Sequence, residues 1–278
     1  MSQDNTASRD SRTAIAVIDG QAINLATQRE AIEAVTASAC AQQGFTLFTL
    51  NLDHLVKRRA NSGFRSAYAR ATFVTADGAP VVKLTRAQAP DMARTTGADL
   101  VPPLCQSAAA NGLPVYLFGA TPASLTKAAA ALRLKYPGLI IAGMEAPALG
   151  FDPASPAADA ASACIAASGA RIALIALGAP KQEIFADRAF ARHPGVGFVC
   201  IGAALDFVSG EQTRAPVFFQ TYGLEWLWRL GGNPRRLAAR YMQCATLLAE
   251  LVVLAALRQG LRQGLGSQAG SRDRKSVV

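Results

Sequence analysis

The sequence predicts an α/β fold in which a mostly parallel, Rossmann-like sheet is flanked by helices and followed by a helical C-terminal appendage. Short apolar runs such as 114–118, 172–177 and 196–201 alternate with helical segments of about a dozen residues, which is typical of parallel βαβ units. Hydrophobic residues make up 51% of the 278 positions, enough for one large domain or for one domain plus an appendage. After about residue 216 the alternation stops and only helical segments follow.

The chain begins with a polar stretch and a hairpin. Residues 1–12 carry mixed charges without an apolar core, which predicts a disordered leader rather than a signal peptide. The pair Asp19-Gly20 predicts a hairpin, and Thr27 is a candidate N-cap for a helix to about residue 43. The following elements are predicted in order: strand 46–50, a helix from 51, strand 72–74, loop 75–80, helix 98–111, strand 114–118, helix 122–136, strand 139–142, helix 156–168, strand 172–177, helix 181–193, strand 196–201 and helices to about 261.

This pattern predicts four parts of the chain. They are the disordered leader (1–12), an α/β catalytic domain (13–214), a helical membrane-associating appendage (215–260) and a flexible basic tail (261–278). The apolar stretch 247–257 is about half a bilayer span and contains a glutamate, so we expect it to be too short to cross a membrane. Five scattered cysteines without a CxxC pair predict buried free thiols in a reducing compartment.

The net charge of +9 is concentrated at the C-terminal end. Residues 1–213 hold 18 basic and 16 acidic side chains, whereas residues 214–278 hold 10 basic and 3 acidic ones. Such an excess suits nucleic acid, anionic lipid or a phosphorylated substrate. Aromatic rings interleaved with arginines favour a membrane interface, with stacked bases as the alternative. The residues concerned are Trp226, Trp228, Arg229, Arg235, Arg236, Arg240 and Tyr241.

Polar residues follow several predicted strands, at the edge of the sheet where parallel α/β proteins bind their ligands. Asp77 follows one strand and is a candidate general base, although an Asp-Gly pair most often makes a turn. Thr49 and Asn51, at the end of another strand, either cap the next helix or bind a sugar or a phosphate. The turn 178–183, Gly-Ala-Pro-Lys-Gln-Glu, brings an amide, a cation and a carboxylate to the same edge. These residue types can recognise a polar ligand, although a plain tight turn is the simpler interpretation.

Two further positions are candidate phosphate contacts. Gly119 begins a turn into a helix N-terminus, but the chain has no complete glycine-rich nucleotide fingerprint. Arg94 either neutralises a diphosphate or pairs with Asp91. The absence of D-x-D, H-E-x-x-H and G-x-S-x-G patterns argues against metal-dependent hydrolysis and serine acyl transfer.

Taken in order, the motifs between about residues 46 and 241 resemble the WecG/TagA/CpsF family of bacterial glycosyltransferases (glycosyltransferase family 26). The set is specific because its members occur in the same sequence order, although each is short. The segments that carry the resemblance are 49–51 (TLN), 76–78 (ADG), 94–100 (RTTGADL), 115–119 (VYLFG), 136–138 (YPG), 178–183 (GAPKQE), 202–207 (GAALDF), Gly210, 214–216 (RAP), 223–230 (GLEWLWRL), 233–237 (NPRRL) and 240–241 (RY).

The resemblance implies an inverting transfer of a sugar, N-acetylmannosamine or another hexose, from a UDP-sugar to a polyprenyl-diphosphate-linked saccharide. It implies no metal and no other cofactor, and a role in exopolysaccharide synthesis on undecaprenyl diphosphate. By the same resemblance, Asp77 is the base and Thr49 its partner in the pocket. The other implied or candidate substrate contacts are Asn51, Arg94, Gly119, Lys181, Gln182, Arg214, Arg229 and Arg236.

The implied location is cytoplasmic, peripheral on the inner face of the cytoplasmic membrane, with Trp226, Trp228, Arg235 and Arg240 at the anionic surface. A homo-oligomer in solution is left open, and no nucleic-acid partner is expected. The chain departs from many relatives at Ala79-Pro80, which bears on acceptor fit, and in about 37 residues after Tyr241. The alternatives are a basic adaptor on membrane or nucleic acid without catalysis, and an ordinary Rossmann-type cofactor enzyme.

Overall fold

The computed structural model describes residues 13–216, 218–219, 225–232 and 234–272, without the side chains of 229, 232, 236 and 258–272. The predicted leader (1–12) and the last part of the predicted tail (273–278) lie outside the described residues. A six-stranded parallel sheet flanked by helices confirms the predicted α/β class.

The helices and strands follow one another along the chain. They are β1 (Ala16–Ile18), β2 (Gln21–Ile23), α1 (Gln28–Cys40), β3 (Phe45–Leu50), α2 (Leu52–Ala60), α3 (Ser62–Arg70), β4 (Phe73–Ala76), α4 (Ala79–Thr85), α5 (Gly97–Ala110), β5 (Val115–Gly119), α6 (Pro122–Lys135), β6 (Ile141–Glu145), α7 (Pro156–Ala167), β7 (Ile172–Ala176), α8 (Lys181–Arg192), β8 (Gly197–Cys200), α9 (Ala204–Ser209), α10 (Glu225–Gly232) and α11 (Pro234–Arg272).

The main sheet has the strand order β4-β3-β8-β7-β5-β6, and each of its strand pairs is parallel. The carboxyl ends of β4, β3, β8, β7 and β5 are therefore contiguous along one edge, so their following loops are neighbours. In the register of β3 and β4, Leu50 lies opposite Ala76. The strands β1 and β2 form a separate antiparallel hairpin around Asp19-Gly20, as the sequence predicts.

The sheet is buried on both faces, as expected for apolar parallel strands. Along β3, Phe48 and Leu50 belong to one hydrophobic cluster, while Phe45 and Leu47 belong to the cluster on the opposite face. Helix α1 begins at the predicted N-cap, where the Thr27 side chain accepts a hydrogen bond from the Glu30 amide. Because side chains alternate between two covered faces, the residues of these strands can reach solvent only at the strand ends.

Helix α11 packs one face against the α/β domain. Its buried positions Leu237, Cys244, Leu247 and Leu251 recur at intervals of seven, three and four residues, which places them on one side of a helix. Leu247 and Leu251 join the hydrophobic cluster that contains α2 residues. The first part of the C-terminal region is thus attached to the domain through an apolar seam.

Helix α11 is longer than the sequence predicts. It continues to Arg272, past the predicted boundary at residue 260, and the segment 260–272 contains no proline but four glycines. The segment Leu237–Leu257, with mean hydropathy 1.4 over 21 residues, is long and apolar enough to cross a membrane by length and composition alone. The expectation that residues 247–257 are too short to cross a membrane is therefore not supported by the length of the apolar helix.

Three short helices, α3, α4 and α9, were not expected from the sequence. The predicted loop at 75–80 is wrong from residue 79, where α4 begins with Pro80 in its first turn. Proline fits this position because its missing amide hydrogen would have no partner within the helix anyway. Strand β6 also lies two residues later than predicted.

Candidate functional site

Asp77 follows directly after β4 and is held at the strand edge by β3. Its backbone amide donates to the Leu50 carbonyl at 2.7 Å, and its Oδ2 accepts from Asn51 Nδ2 at 3.2 Å. Asn51 Oδ1 at the same time accepts from the His54 amide at 3.0 Å and caps α2. Asn51 thus caps α2, one of the two roles that the sequence left open, and also holds the Asp77 carboxyl group, while its contact with a sugar or a phosphate stays a prediction.

Thr49 lies two residues earlier on β3, opposite Thr75, and is buried. Its carbonyl oxygen accepts from the Tyr68 hydroxyl at 3.3 Å, and that hydroxyl is 2.7 Å from His54 Nδ1. Burial is the main cause that lowers the pKa of His54 to about 3 and raises the pKa of Tyr68 well above its ordinary value. His54 and Tyr68 are therefore neutral near pH 7, and their hydrogen bonds support the end of β3.

Arg94 lies on a segment that crosses the strand ends next to Asp77. The Thr95 amide donates to the Ala76 carbonyl at 2.8 Å, which fixes this segment against the last residue of β4. Gly97 packs on the end of β8, because a Cβ there would lie 2.7 Å from the Ile201 Cα. Residues 94–97 therefore run from the end of β4 to the end of β8, the two strands that flank β3.

Arg94 and Arg214 share two carboxylates. Arg214 donates to Asp99 Oδ1 at 2.7 Å and to Glu225 Oε1 at 3.2 Å. Arg94 lies 3.6 Å from Glu225 Oε1 and 3.9 Å from Asp99 Oδ2. The partners of Arg94 within the described residues are thus Asp99 and Glu225 rather than Asp91. We call these four residues the arginine–carboxylate cluster.

Asp99 is the fixed member of the arginine–carboxylate cluster. It lies in the first turn of α5, and its Oδ2 accepts from the Thr96 hydroxyl at 2.8 Å. Burial alone would raise its pKa, but the hydrogen bonds from Arg214 and Thr96 outweigh burial and hold the pKa below its ordinary value. Asp99 is therefore ionised near neutral pH and keeps one negative charge beside the two arginines.

Gln182 is buried, with 3% of its surface exposed, and both ends of its amide are engaged. Nε2 donates to Glu183 Oε1 at 2.8 Å, and Oε1 accepts from the Gly202 amide at 3.0 Å. The side chain therefore ties the turn after β7 to the turn after β8. Lys181, by contrast, is exposed at the first residue of α8. The predicted substrate contacts of both residues stay predictions.

Glu183 is fully buried beside Gln182, and its Oε2 has no hydrogen-bond partner in the described structure. Burial raises its pKa to about 7, while the hydrogen bond from Gln182 and the charge of Lys57 act in the opposite direction. The sequence predicts this carboxyl group only as part of a turn that can recognise a polar ligand, and does not predict its burial.

A chain of polar contacts links the C-terminal helix to the 178–183 turn. Arg240 Nε lies 2.8 Å from Asp53 Oδ1, and Lys57 Nζ lies 2.6 Å from Asp53 Oδ2. Lys57 Nζ also donates to the Ala179 carbonyl at 3.1 Å. Arg240, which was expected at the membrane surface, thus docks α11 onto α2. The i, i+4 spacing of Asp53 and Lys57 was the sequence feature that could have suggested the ion pair.

Gly119 has a structural reason to be glycine. It has a φ of +110°, and a Cβ at this position would collide with the Ala176 carbonyl at the end of β7. The next amide, of Ala120, donates to that carbonyl at 3.0 Å, and Thr121 caps α6. The predicted phosphate contact at Gly119 is left untested by this geometry.

The C-terminal region exposes aromatic side chains. Trp226 and Trp228 are each 44% exposed, and Phe218 is 62% exposed. Arg235 is exposed, whereas the side chains of Arg229 and Arg236 lie outside the described part of the structure. In the part that is described, no three His, Cys, Asp or Glu side chains gather into a group that could hold a metal ion.

A family model described as the Glycosyl transferase WecG/TagA/CpsF family matches residues 16–263. The matched range includes each strand-end loop of the main sheet and the arginine–carboxylate cluster. It also includes α10 and most of α11, so the C-terminal helices belong to the matched region.

Proposed function

The chain belongs to the WecG/TagA/CpsF family of glycosyl transferases, which act in cell-surface polysaccharide synthesis, and we propose that it is an inverting, UDP-sugar-dependent member. In this proposal it transfers N-acetylmannosamine or another hexose to a saccharide on polyprenyl diphosphate. No metal ion takes part. The observation that supports it most is the placement of a half-buried carboxyl group, Asp77, on the same strand edge as the segment carrying Arg94.

The proposed reaction is a single in-line displacement. The acceptor hydroxyl oxygen attacks the anomeric carbon and forms the new glycosidic bond, while the bond to the UDP oxygen breaks and UDP leaves with its electron pair. Asp77 takes the hydroxyl proton as the bond forms, because a neutral hydroxyl is a poor nucleophile. Asn51 supports this role because its amide holds the carboxyl group at 3.2 Å. Positioned bases contribute about 10²–10⁴-fold to rate.

The leaving diphosphate needs positive charge in place of a metal ion. Arg94 and Arg214 lie around the same two carboxylates, so their guanidinium groups are close enough to act as a pair. Guanidinium groups bind phosphate oxygens in a two-pronged geometry and keep their charge at any physiological pH. We assign them to the diphosphate, and Lys181 to a more peripheral contact at the N-terminus of α8.

We also propose that the C-terminal region lies at the inner face of the cytoplasmic membrane, where a polyprenyl-linked acceptor would be found. Exposed Trp226 and Trp228 suit the headgroup layer, and each basic residue near an anionic leaflet adds about 1 kcal/mol of binding. Arg235 is a candidate for such a contact, whereas Arg240 is already paired with Asp53. In this proposal the sheet edge that carries Asp77 lies near the bilayer surface and not within the bilayer.

A transfer assay tests the catalytic proposal. The purified protein is incubated with a panel of UDP-sugars and a synthetic polyprenyl-diphosphate-linked saccharide, with and without a chelator, and the anomeric configuration of the product is determined. We expect one donor to react with inversion and at the same rate under chelation. Absence of transfer from the whole panel, or retention of configuration, would contradict the proposal.

Co-sedimentation with vesicles tests the membrane proposal. The double variant Trp226→Ala/Trp228→Ala should lose most of its binding to anionic phosphatidylglycerol vesicles. The matched control is Leu134→Ala/Leu149→Ala, which removes two exposed apolar side chains elsewhere on the surface. The control should bind as the wild type does. Equal binding of both double variants would argue against the C-terminal region as the membrane contact.

A further inference from the structure

We propose that Glu225 occupies the place of the donor diphosphate between Arg94 and Arg214, and that nucleotide binding displaces it. The proposal rests on the proposed function, since it takes these two arginines as the diphosphate contacts. It adds a residue of the C-terminal region whose carboxylate competes with the substrate. Glu225 is the first residue of α10, so its displacement also removes one contact that ties this helix to the domain.

The arginine–carboxylate cluster carries no net charge in the structure. Its two guanidinium groups are balanced by the carboxylates of Asp99 and Glu225, and each arginine lies within 4.0 Å of both acids. A neutral cluster offers a diphosphate little electrostatic attraction. The two arginines can bind a dianionic group strongly only after one carboxylate has moved away.

The distances and supports identify Glu225 as the carboxylate that moves. Asp99 is 2.7 Å from Arg214, accepts from the Thr96 hydroxyl and sits in the first turn of α5. Glu225 lies farther from Arg214, at 3.2 Å, and no hydrogen bond to Glu225 like that from Thr96 to Asp99 is among the described contacts. Arg94 lies at similar distances from both acids, 3.6 Å from Glu225 and 3.9 Å from Asp99, so it does not separate them. Asp99 therefore stays and orients Arg214, whereas Glu225 leaves its place to an incoming phosphate oxygen.

Oxygens of a diphosphate can replace the contacts that Glu225 makes. Glu225 Oε1 alone lies near both arginines, so one negatively charged oxygen already fits between the guanidinium groups. A phosphate oxygen offers the same charge-assisted hydrogen bonds and adds further acceptors on the same group. Substrate thus gains the contacts that α10 loses.

Binding of UDP to the full-length chain tests this proposal. The probe is UDP without a sugar, titrated by calorimetry at low ionic strength into the wild type, Glu225→Gln and Glu250→Gln. Glu250→Gln is the matched control, because Glu250 also joins a C-terminal helix to the domain, through Arg59 at 2.7 Å, but lies outside the cluster. Circular dichroism confirms that each variant is folded.

We expect Glu225→Gln to bind UDP about five-fold more tightly than the wild type, the factor that a partly exposed ion pair of this kind contributes. Glu250→Gln should bind as the wild type does. The protein has only two tryptophans, both within three residues of Glu225, so UDP should also shift the tryptophan emission of the wild type. That shift should be smaller in Glu225→Gln, in which α10 is already less firmly held.

Unchanged or weaker UDP binding by folded Glu225→Gln would overturn the inference and make Glu225 a bridge that assembles the arginine pair. That result leaves the proposed function intact, because the wild type still binds UDP. Failure of all three proteins to bind UDP would instead overturn the proposed function. The two failures are therefore distinguished within one titration series.

Discussion

Replacing Glu183 by glutamine should change how the stability of the protein depends on pH. The carboxyl group is fully buried, and burial raises its pKa from 4.5 to about 7. The charged or titratable groups that face it are Lys57 and Asp53 on α2, Tyr68 on α3 and Cys200 on β8. Glutamine has the shape of the protonated acid and can still accept the hydrogen bond from the preceding side chain.

The direction follows from proton linkage. Between pH 4.5 and about pH 7 the folded protein holds a proton on Glu183 that the unfolded chain has released. The stability contributed by the neutral carboxyl group is therefore fully present below pH 4.5 and is lost as the pH rises to about 7. A pKa difference of this size corresponds to about 3 kcal/mol of unfolding free energy.

The assay is urea unfolding at a series of pH values from 5 to 8. Over this range the unfolding free energy of the wild type should fall, relative to that of Glu183→Gln, by most of about 3 kcal/mol. The titrations of the other groups are common to both proteins and cancel in this difference. The control Glu33→Gln removes an exposed carboxylate from α1 and should follow the wild-type profile. Parallel profiles for the wild type and Glu183→Gln would refute the assignment of a buried, protonated Glu183.

Two further predictions concern the site and the C-terminal helix. Asn51→Ala and Asn61→Ala each remove an N-cap, and each should lower the unfolding free energy measured in urea by about 1 kcal/mol. Only Asn51→Ala should also lower transfer activity, because Asn51 contacts Asp77 and Asn61 does not. Equal transfer activities of the two variants would contradict this prediction. Leu247→Ala should cost about 2–5 kcal/mol because Leu247 is buried at 4% exposure, whereas Met242→Ala, at 69% exposure, should change stability by about 0.5 kcal/mol at most. A small effect of Leu247→Ala would show that α11 is not docked on the domain.

The fold class and most elements could be predicted because apolar runs and helical segments alternate clearly along the chain. Strands such as β5 and β7 are buried on both faces, so their residues are almost all apolar and stand out in the sequence. Helices of six to nine residues, such as α3, α4 and α9, contain too few turns for a clear apolar period. In α4 the Ala79-Pro80 pair also has the composition of a loop.

The residues of the candidate site could be located from the sequence, but their contacts could not. Strand ends place Asp77 and Asn51 on one edge, and the structure adds their hydrogen bond. The predicted substrate contact of Gln182 stays a prediction, and the structure adds its hydrogen bonds with Glu183 and Gly202, which no local pattern reveals. Partners that are distant in sequence depend on the packing of whole elements.

The arginine–carboxylate cluster illustrates the same limit. Arg94 has an acidic residue three positions before it, Asp91, and local spacing favours that partner. The structure instead brings in Glu225 from a helix that follows the domain, more than a hundred residues later. Only the docking of the C-terminal region creates this contact. The sequence therefore indicated both arginines as candidates but not the carboxylates that they share.

The most direct test of the account is the turnover of Asp77→Asn in the transfer assay. Asparagine can keep the hydrogen bond from Asn51 but cannot accept the proton of the acceptor hydroxyl. We predict that kcat falls about 10²–10⁴-fold while the Kd for UDP stays unchanged, and that the control Asp91→Asn keeps wild-type turnover. Near-normal kcat in a folded Asp77→Asn protein would contradict the assignment of Asp77 as the general base.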